Sequence, residues 1–174
     1  MNSRWTIKPN PNPDIVNSLM QSLGVGKPIA RLLAQRGINS FEEAKKFFRP
    51  NLKDLHDPYL MRDMDKAVAR IEKALAEEEN IMVYGDYDVD GTTSVALMSS
   101  YLKTRYPNVA TYIPDRYNEG YGVSYQGIDF AADNDISLII ALDCGIKAID
   151  KVAYAREKGI DFVICDHHRP GSEI

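Results

Sequence analysis

The stretch Asn80-Ile81-Met82-Val83-Tyr84-Gly85-Asp86-Tyr87-Asp88-Val89-Asp90-Gly91 is where the chain changes its period. Just upstream, apolar residues recur at helical spacing. Met64, Ala67, Val68, Ile71 and Leu75 make one stripe of a helix expected over residues 63–79. Residues 81–84 are instead continuously apolar and run into a glycine, the pattern of a strand buried on both faces. A helix is expected over 91–106, and the alternation continues downstream. Strands are expected over 109–114, 137–142 and 161–165. Helices are expected over 124–133 and 148–158, the latter stopped by Gly159. This β-α-β-α-β-α-β series implies an α/β fold, a mostly parallel sheet with helices on both faces.

Towards the amino terminus the pattern is helical and short. The first 13 residues, rich in Asn and Pro, read as an extended arm. Asp14 is the expected cap of a helix reaching residue 23. Pro28 falls in a first turn, with Ile29, Leu32 and Leu33 on one face and Gly37 as a stop. Ser40-Phe41-Glu42-Glu43 has the form of a capping box opening a helix that Arg49-Pro50 ends. The expected organisation is a small helical region with its arm over residues 1–79 and an α/β domain over 80–174.

Of 174 residues, 44% are hydrophobic and 26% charged, which excludes disordered, collagen-like and coiled-coil classes. A chain of this length buries roughly 70% of its unfolded surface and needs no disulfide or metal in order to fold. Its most apolar run, residues 137–142, is far shorter than the roughly 20 residues of a bilayer span. The opening Met1-Asn2-Ser3-Arg4-Trp5 leads into Pro and Asn. Neither a membrane partner nor a signal peptide is therefore expected. Cys144 and Cys165 lack CxxC spacing and point to a reducing cytoplasm; both are expected to be small buried residues, not nucleophiles. Charge is uneven. Residues 1–50 carry 8 Lys and Arg against 3 Asp and Glu, whereas residues 81–174 carry 8 against 14. The basic front suits a phosphate backbone and the acidic back suits cations, although scattered surface charge would look the same.

Polar clusters follow the expected strands: Asp86, Asp88 and Asp90 after the first, Asp143 after the third, and Asp166-His167-His168 after the last. Ligands of open parallel sheets bind beyond the carboxyl ends of the strands, so the topology brings these clusters to one rim. Crowded carboxylates repel unless a cation neutralises them. Mixed carboxylate and imidazole donors suit Mn²⁺ and tolerate Mg²⁺. A lone Asp at a strand end is often only a helix cap, and a lone His pair is often surface; the joint occurrence at three strand ends carries the functional reading. The Asp-x-Asp-x-Asp-Gly pattern also begins a calcium-binding EF-hand loop, but the twelfth position, which requires Glu, is Leu97, and the preceding element reads as a strand.

Val83-Tyr84-Gly85-Asp86-Tyr87-Asp88-Val89-Asp90-Gly91, Ala141-Leu142-Asp143-Cys144-Gly145 and Asp166-His167-His168 resemble motifs I, III and IV of the DHH phosphoesterase superfamily. Ile113-Pro114-Asp115-Arg116-Tyr117-Asn118-Glu119-Gly120-Tyr121-Gly122 resembles the motif II region of its bacterial single-strand-specific 5′→3′ DNA exonucleases. The front end is similar to the same branch at Trp5, Leu32-Leu33, Arg36-Gly37-Ile38, Asp57-Pro58 and Asp63-Met64. The resemblance implies a DHH-type domain that hydrolyses phosphodiesters with two metal ions, Mn²⁺ or Mg²⁺, in DNA repair and recombination. It implies Asp88, Asp90, Asp143 and His167 as metal ligands and His168 as a catalytic-site residue. Asp86 would be a catalytic-site acid acting on the metal or behind its ligands. Arg116 would meet the DNA backbone. Asn118 and Tyr121 are candidates to grip the sugar-phosphate chain or stack on a base, with a packing role the plainer reading of Tyr121. Single-stranded DNA is the expected partner, and a single-strand-binding protein a second one.

Two departures stand out. Many members have His where this chain has Tyr84, which removes one possible ligand. The family's further metal-binding aspartate, second core domain and OB-fold domain would lie beyond residue 174, so the sequence reads as an amino-terminal fragment, expected to be inactive or weakly active alone. Other readings remain open on the residues: a DHH pyrophosphatase or short-oligonucleotide phosphodiesterase, or a non-catalytic nucleic-acid-binding module. The last would use Leu23-Gly24-Val25-Gly26-Lys27 as a helix-hairpin-helix turn, although glycines serve any tight helix-helix turn.

Overall fold

Local punctuation sets the first three helices. The computed structural model describes residues 4–173. It has α1 at Pro13–Leu23, α2 at Lys27–Gln35 and α3 at Phe41–Phe48. The cap of α1 is Asn12 and not Asp14: the Asn12 side chain accepts the Asp14 N–H at 2.9 Å. Asp14 instead falls in the first turn, where its charge suits the positive helix end. Pro28 occupies the first turn of α2, and the Ser40–Glu43 capping box forms with both of its bonds. Val16, Leu19, Ala30 and Leu33 make a small core. The described part of the arm is tied down. Arg31 donates to Asn10 Oδ1 at 2.6 Å, Gln35 Nε2 donates to the Pro9 carbonyl at 3.1 Å, and Lys8 donates to the Gln35 carbonyl. Residues 1–3 of that arm lie outside the described residues.

The remaining elements are α4 (Met64–Ala76), β1 (Asn80–Gly85), α5 (Val89–Lys103), β2 (Val109–Tyr112), α6 (Tyr125–Asp133), β3 (Ile136–Leu142), α7 (Ile149–Glu157) and β4 (Asp161–Cys165). The chain divides into two compact units, Met1–Leu60 and Met61–Ile174. The apolar stripe of α4 packs against the sheet, so this division falls ahead of α4. The strand order is β2-β1-β3-β4, and every pairing is parallel. Strand periodicity sorts the side chains into two layers. Ile81, Val83, Leu138, Ile140, Leu142 and Val163 face α4 and α5, packing with Ile71, Ala74, Val95 and Leu102. Met82, Tyr84, Ile139 and Ala141 face α6 and α7, packing with Ile128, Ala131 and Ala155. Burial on both faces explains why β1 and β3 read as continuous apolar runs. Each large side chain so buried contributes about 1.5–3 kcal/mol.

Boundaries moved where a cap or a missing donor decides. α5 begins at Val89, earlier than expected, because Asp88 Oδ1 accepts the Gly91 N–H at 3.0 Å and becomes its cap. β2 stops at Tyr112; Pro114 has no N–H for a ladder. α4 ends at Ala76, short of residue 79, since Glu78 adopts a left-handed conformation with φ 56°. Among the described residues no helix is long and apolar enough to cross a membrane.

Candidate metal centre

Register builds the centre. Gly85 pairs with Leu142, and Leu142 with Cys165, so the next residues of the three strands, Asp86, Asp143 and Asp166, emerge together at the carboxyl rim. Asp143 has φ 61°, a left-handed backbone that Asp tolerates better than most residues. Its N–H continues the ladder to the Cys165 carbonyl at 2.9 Å. Its Oδ1 lies 3.0 Å from His167 Nε2. Asp166 is a nearly buried anchor. Its Oδ1 accepts the His168 N–H at 2.9 Å and meets His168 Nδ1 at 2.8 Å, and its Oδ2 accepts the Ile146 N–H at 3.0 Å.

The charges at this rim are mutually costly. Burial, and then the Asp88 charge, push the Asp143 carboxyl above its usual range, against the pull of His167. Burial works to raise Asp166 as well, but the N–H groups of His168 and Ile146 and the His168 ring hold it below that range. The Asp166 carboxylate in turn holds the His168 imidazole above its ordinary pKa. Asp86 is fully buried, and among the described residues its Oδ2 has no hydrogen-bond partner and its Oδ1 has only the Gly122 N–H at 3.5 Å. A buried carboxylate oxygen left unpaired carries a cost of desolvation that a nearby cation would relieve. Ligand atoms of Asp143, His167 and His168 lie within 4.8 Å of one another. Oxygen and imidazole donors beside an orphaned acid fit a divalent cation such as Mn²⁺.

The loop after β2 reaches the same rim. Asp115 closes it as a turn, its Oδ1 accepting the N–H groups of Tyr117 at 2.9 Å and Asn118 at 2.8 Å. Glu119 braces it from inside. Its Oε1 accepts the Asp115 N–H at 2.7 Å, and its Oε2 accepts from the Tyr112 hydroxyl at 2.9 Å and from the Ser124 hydroxyl. The Tyr121 hydroxyl lies 3.2 Å from His168 Nε2. Burial, followed by the charges of Asp86, Asp143 and Asp166, raises its pKa.

The structure therefore gathers Asp86, Asp143, His167, His168 and Tyr121. Asp88 is exposed and outside the close group, although its charge reaches Asp143. Asp90 is exposed in the first turn of α5, and Asn118 is exposed with its backbone spent on the turn. Arg116 rests on the Tyr87 ring. Cys144 is buried, its thiol pushed up to about 12 by that burial, whereas Cys165, expected to be buried, is exposed. Sequence reasoning gave no role to Glu119 or Tyr87, and to Asp166 none beyond membership of the rim cluster. A carboxylate two residues before a histidine was the available signal for Asp166; Glu119 and Tyr87 had none, because their partners lie on other segments. Tyr84 does not point to the rim. It stacks on Tyr112 at 5.3 Å, donates to the Gly122 carbonyl at 2.8 Å and accepts the Ser124 N–H at 3.1 Å.

A parallel sheet whose strand ends present motif acids and a His pair defines a DHH-type domain, and residues 80–174 match the DHH family, N-terminal domain. The chain belongs to the DHH family. It is 41% identical over 171 residues to the single-stranded-DNA-specific exonuclease RecJ of Bacillus subtilis, an overlap that is 98% of this chain and 22% of that protein. Among solved structures, exonuclease RecJ bound to manganese shares 33% identity with a TM-score of 0.60, over 64% of this chain and 29% of that one. RecJ of Thermus thermophilus in complex with Mn²⁺ shares 26% identity with a TM-score of 0.69, over 94% of this chain and 22% of that one. The chain thus spans about a quarter of the length of the curated relatives it matches.

Proposed function

We propose that this chain supplies the metal-binding face of a phosphodiesterase that removes nucleotides from the 5′ end of single-stranded DNA. The observation that carries the reading is the convergence of Asp143, His167 and His168 within 4.8 Å beside the buried, unpaired Asp86. The names of the relatives, single-strand-specific exonucleases with manganese in their solved structures, support it. Asp88, Asp90, Asp143 and His167 are the proposed ligands of Mn²⁺ or Mg²⁺, two ions in the complete enzyme. A divalent ion held by these residues would supply the charge to polarise a phosphodiester and to lower the pKa of an attacking water.

The protein's own groups do the rest. Asp143 orients the His167 ring through Nε2. Asp166 fixes the His168 ring through Nδ1, which leaves Nε2 as the atom that could give a proton to a leaving oxygen. Arg116 offers a guanidinium to a phosphate, and Tyr121 and Asn118 present an aromatic face and an amide to the strand. We place this activity in DNA repair and recombination, in the cytoplasm, where unpaired thiols such as Cys144 and Cys165 persist. A single-strand-binding protein is a further proposed partner, since it shares the substrate.

Calorimetric titration tests the reading. Mn²⁺ should give a saturable heat with the wild type that disappears in Asp143→Ala. Equal binding by the wild type and by an Asp88→Ala/Asp143→Ala double variant would sink the assignment.

A further inference from the structure

Arg116 rests on an aromatic pad that belongs to the first acidic motif. Its guanidinium carbon lies 5.2 Å from the centroid of the Tyr87 ring, within the range of cation–π attraction. Tyr87 is half-buried and stands between the buried acid Asp86 and the helix cap Asp88. Its ring meets Tyr121 edge to face, with centroids 6.3 Å apart and planes at 85°. Tyr121 meets His168 in the same way, at 6.0 Å and 85°. One row of contacts therefore runs from Arg116 through Tyr87 and Tyr121 to His168 and joins three segments distant in sequence.

The backbone beneath Arg116 is already fixed by Asp115 and Glu119. Its side chain is what remains free, and among the described residues no carboxylate lies within ion-pair reach of it. A free arginine must give up rotamer entropy when it grips a ligand. Contact with the ring restricts that freedom beforehand without an ion pair that would occupy the N–H groups.

We infer that Tyr87 is a positioning residue for substrate phosphate: it holds the Arg116 guanidinium in place, N–H edge free, in register with the acids on either side of Tyr87. This rests on the reading of the chain as a single-strand phosphodiesterase. The ligand chemistry is a phosphate group carried on a single strand.

The test has two arms. In the first, a 5′-phosphorylated oligothymidylate is titrated into the chain in the presence of Mn²⁺ and followed by fluorescence anisotropy. Tyr87→Leu should bind about three- to tenfold more weakly than wild type, and Tyr87→Phe, which keeps the ring, within about twofold. In an Arg116→Ala background, Tyr87→Leu should add nothing, because the two side chains act as one unit. In the second arm, NMR of the nucleic-acid-free chain should show the Arg116 Cδ protons shifted upfield by the ring in wild type and in Tyr87→Phe, and at their ordinary position in Tyr87→Leu. Additive losses in the double variant, unchanged affinity in Tyr87→Leu, or the absence of the ring shift in wild type would each overturn the role of Tyr87 alone. A wild type with the ring shift but no affinity for the strand would overturn the functional reading and this role with it.

Discussion

At Gly91 a side chain has nowhere to go. A Cβ there would lie 2.3 Å from the carbonyl oxygen of Asp86 and 2.6 Å from its nitrogen. The first turn of α5 is therefore laid directly on the backbone that carries the buried acid. Gly85 repeats the constraint from below, with its Cβ position 2.8 Å from the Gly91 carbonyl and 2.4 Å from Val95 Cγ2. Two effects oppose each other in Gly91→Ala. Helix propensity favours alanine by up to about 1 kcal/mol. Overpacking costs about 1–3 kcal/mol, and here the obstructing atoms are backbone, which cannot swing aside as a side chain can. The clash should win. Gly91→Ala is expected to lose about 1–2 kcal/mol of stability in urea denaturation, and Mn²⁺ affinity with it, because Asp88 caps the displaced helix. A variant as stable as wild type would refute the close approach.

Among the elements, β4 is the one whose position needs explaining, since it is an edge strand and carries the His pair at its end. Arg70 on α4 reaches across to it. Its Nε donates to Asp161 at the start of β4 at 2.7 Å, and its NH1 and NH2 make a paired contact with Glu79 at 3.1 and 2.7 Å. Ser137 of β3 donates to the same Glu79 carboxylate. The cluster clamps α4, β3 and β4 at the amino end of the sheet, opposite the candidate metal centre. Arg70 in the first place, with Ser137, holds the Glu79 carboxyl below its usual range, against the effect of burial. A depressed folded-state pKa contributes stability that is present above the unfolded value, about 4.5, and is lost as pH falls through the folded value. Glu79→Gln should therefore cost about 2 kcal/mol at neutral pH. The deficit should shrink as pH drops below about 4.5, as the wild type protonates and comes to resemble the variant. Parallel urea titrations of both proteins across that range check this; a constant difference would mean that the carboxylate charge contributes nothing.

At the scale of the whole molecule, the two units hold separate cores of unequal size. The second has an apolar layer on each face of the sheet and all of the candidate site. The first is centred on four buried residues. Small domains bury too little surface to be more than marginally stable. Residues 61–174 expressed alone are thus expected to unfold cooperatively on heating and to bind Mn²⁺ as the whole chain does, whereas residues 1–60 alone should melt broadly or not fold. Loss of a cooperative transition in 61–174 would show that the site depends on the helical unit.

Much of this architecture is local, and what is local is legible. Short apolar runs that end in a glycine or a polar cluster and alternate with helical patterns read as strands buried on both sides, so the parallel sheet with covered faces followed from residues 81–84 and 137–142 before any contact was known. The Ser40–Glu43 capping box and the glycine after α2 are satisfied within a turn, and they stand where the sequence puts them. The acids and the His pair were legible as a group because strand ends in a parallel sheet share one rim. The rest depends on chain segments meeting. That Asp88 caps a helix depends on a hydrogen bond to Gly91. Whether Tyr84 replaces a ligand or braces a loop depends on which face of β1 it occupies, and that parity places it among Tyr112, Gly122 and Ser124 instead of at the strand end. Asp166, Glu119 and Tyr87 draw their roles from partners set by register and loop packing. Periodicity and punctuation act over a few residues and so determined the elements and their order. Distances between side chains remote in sequence are set by the packing of the sheet, and only the tertiary structure decided them.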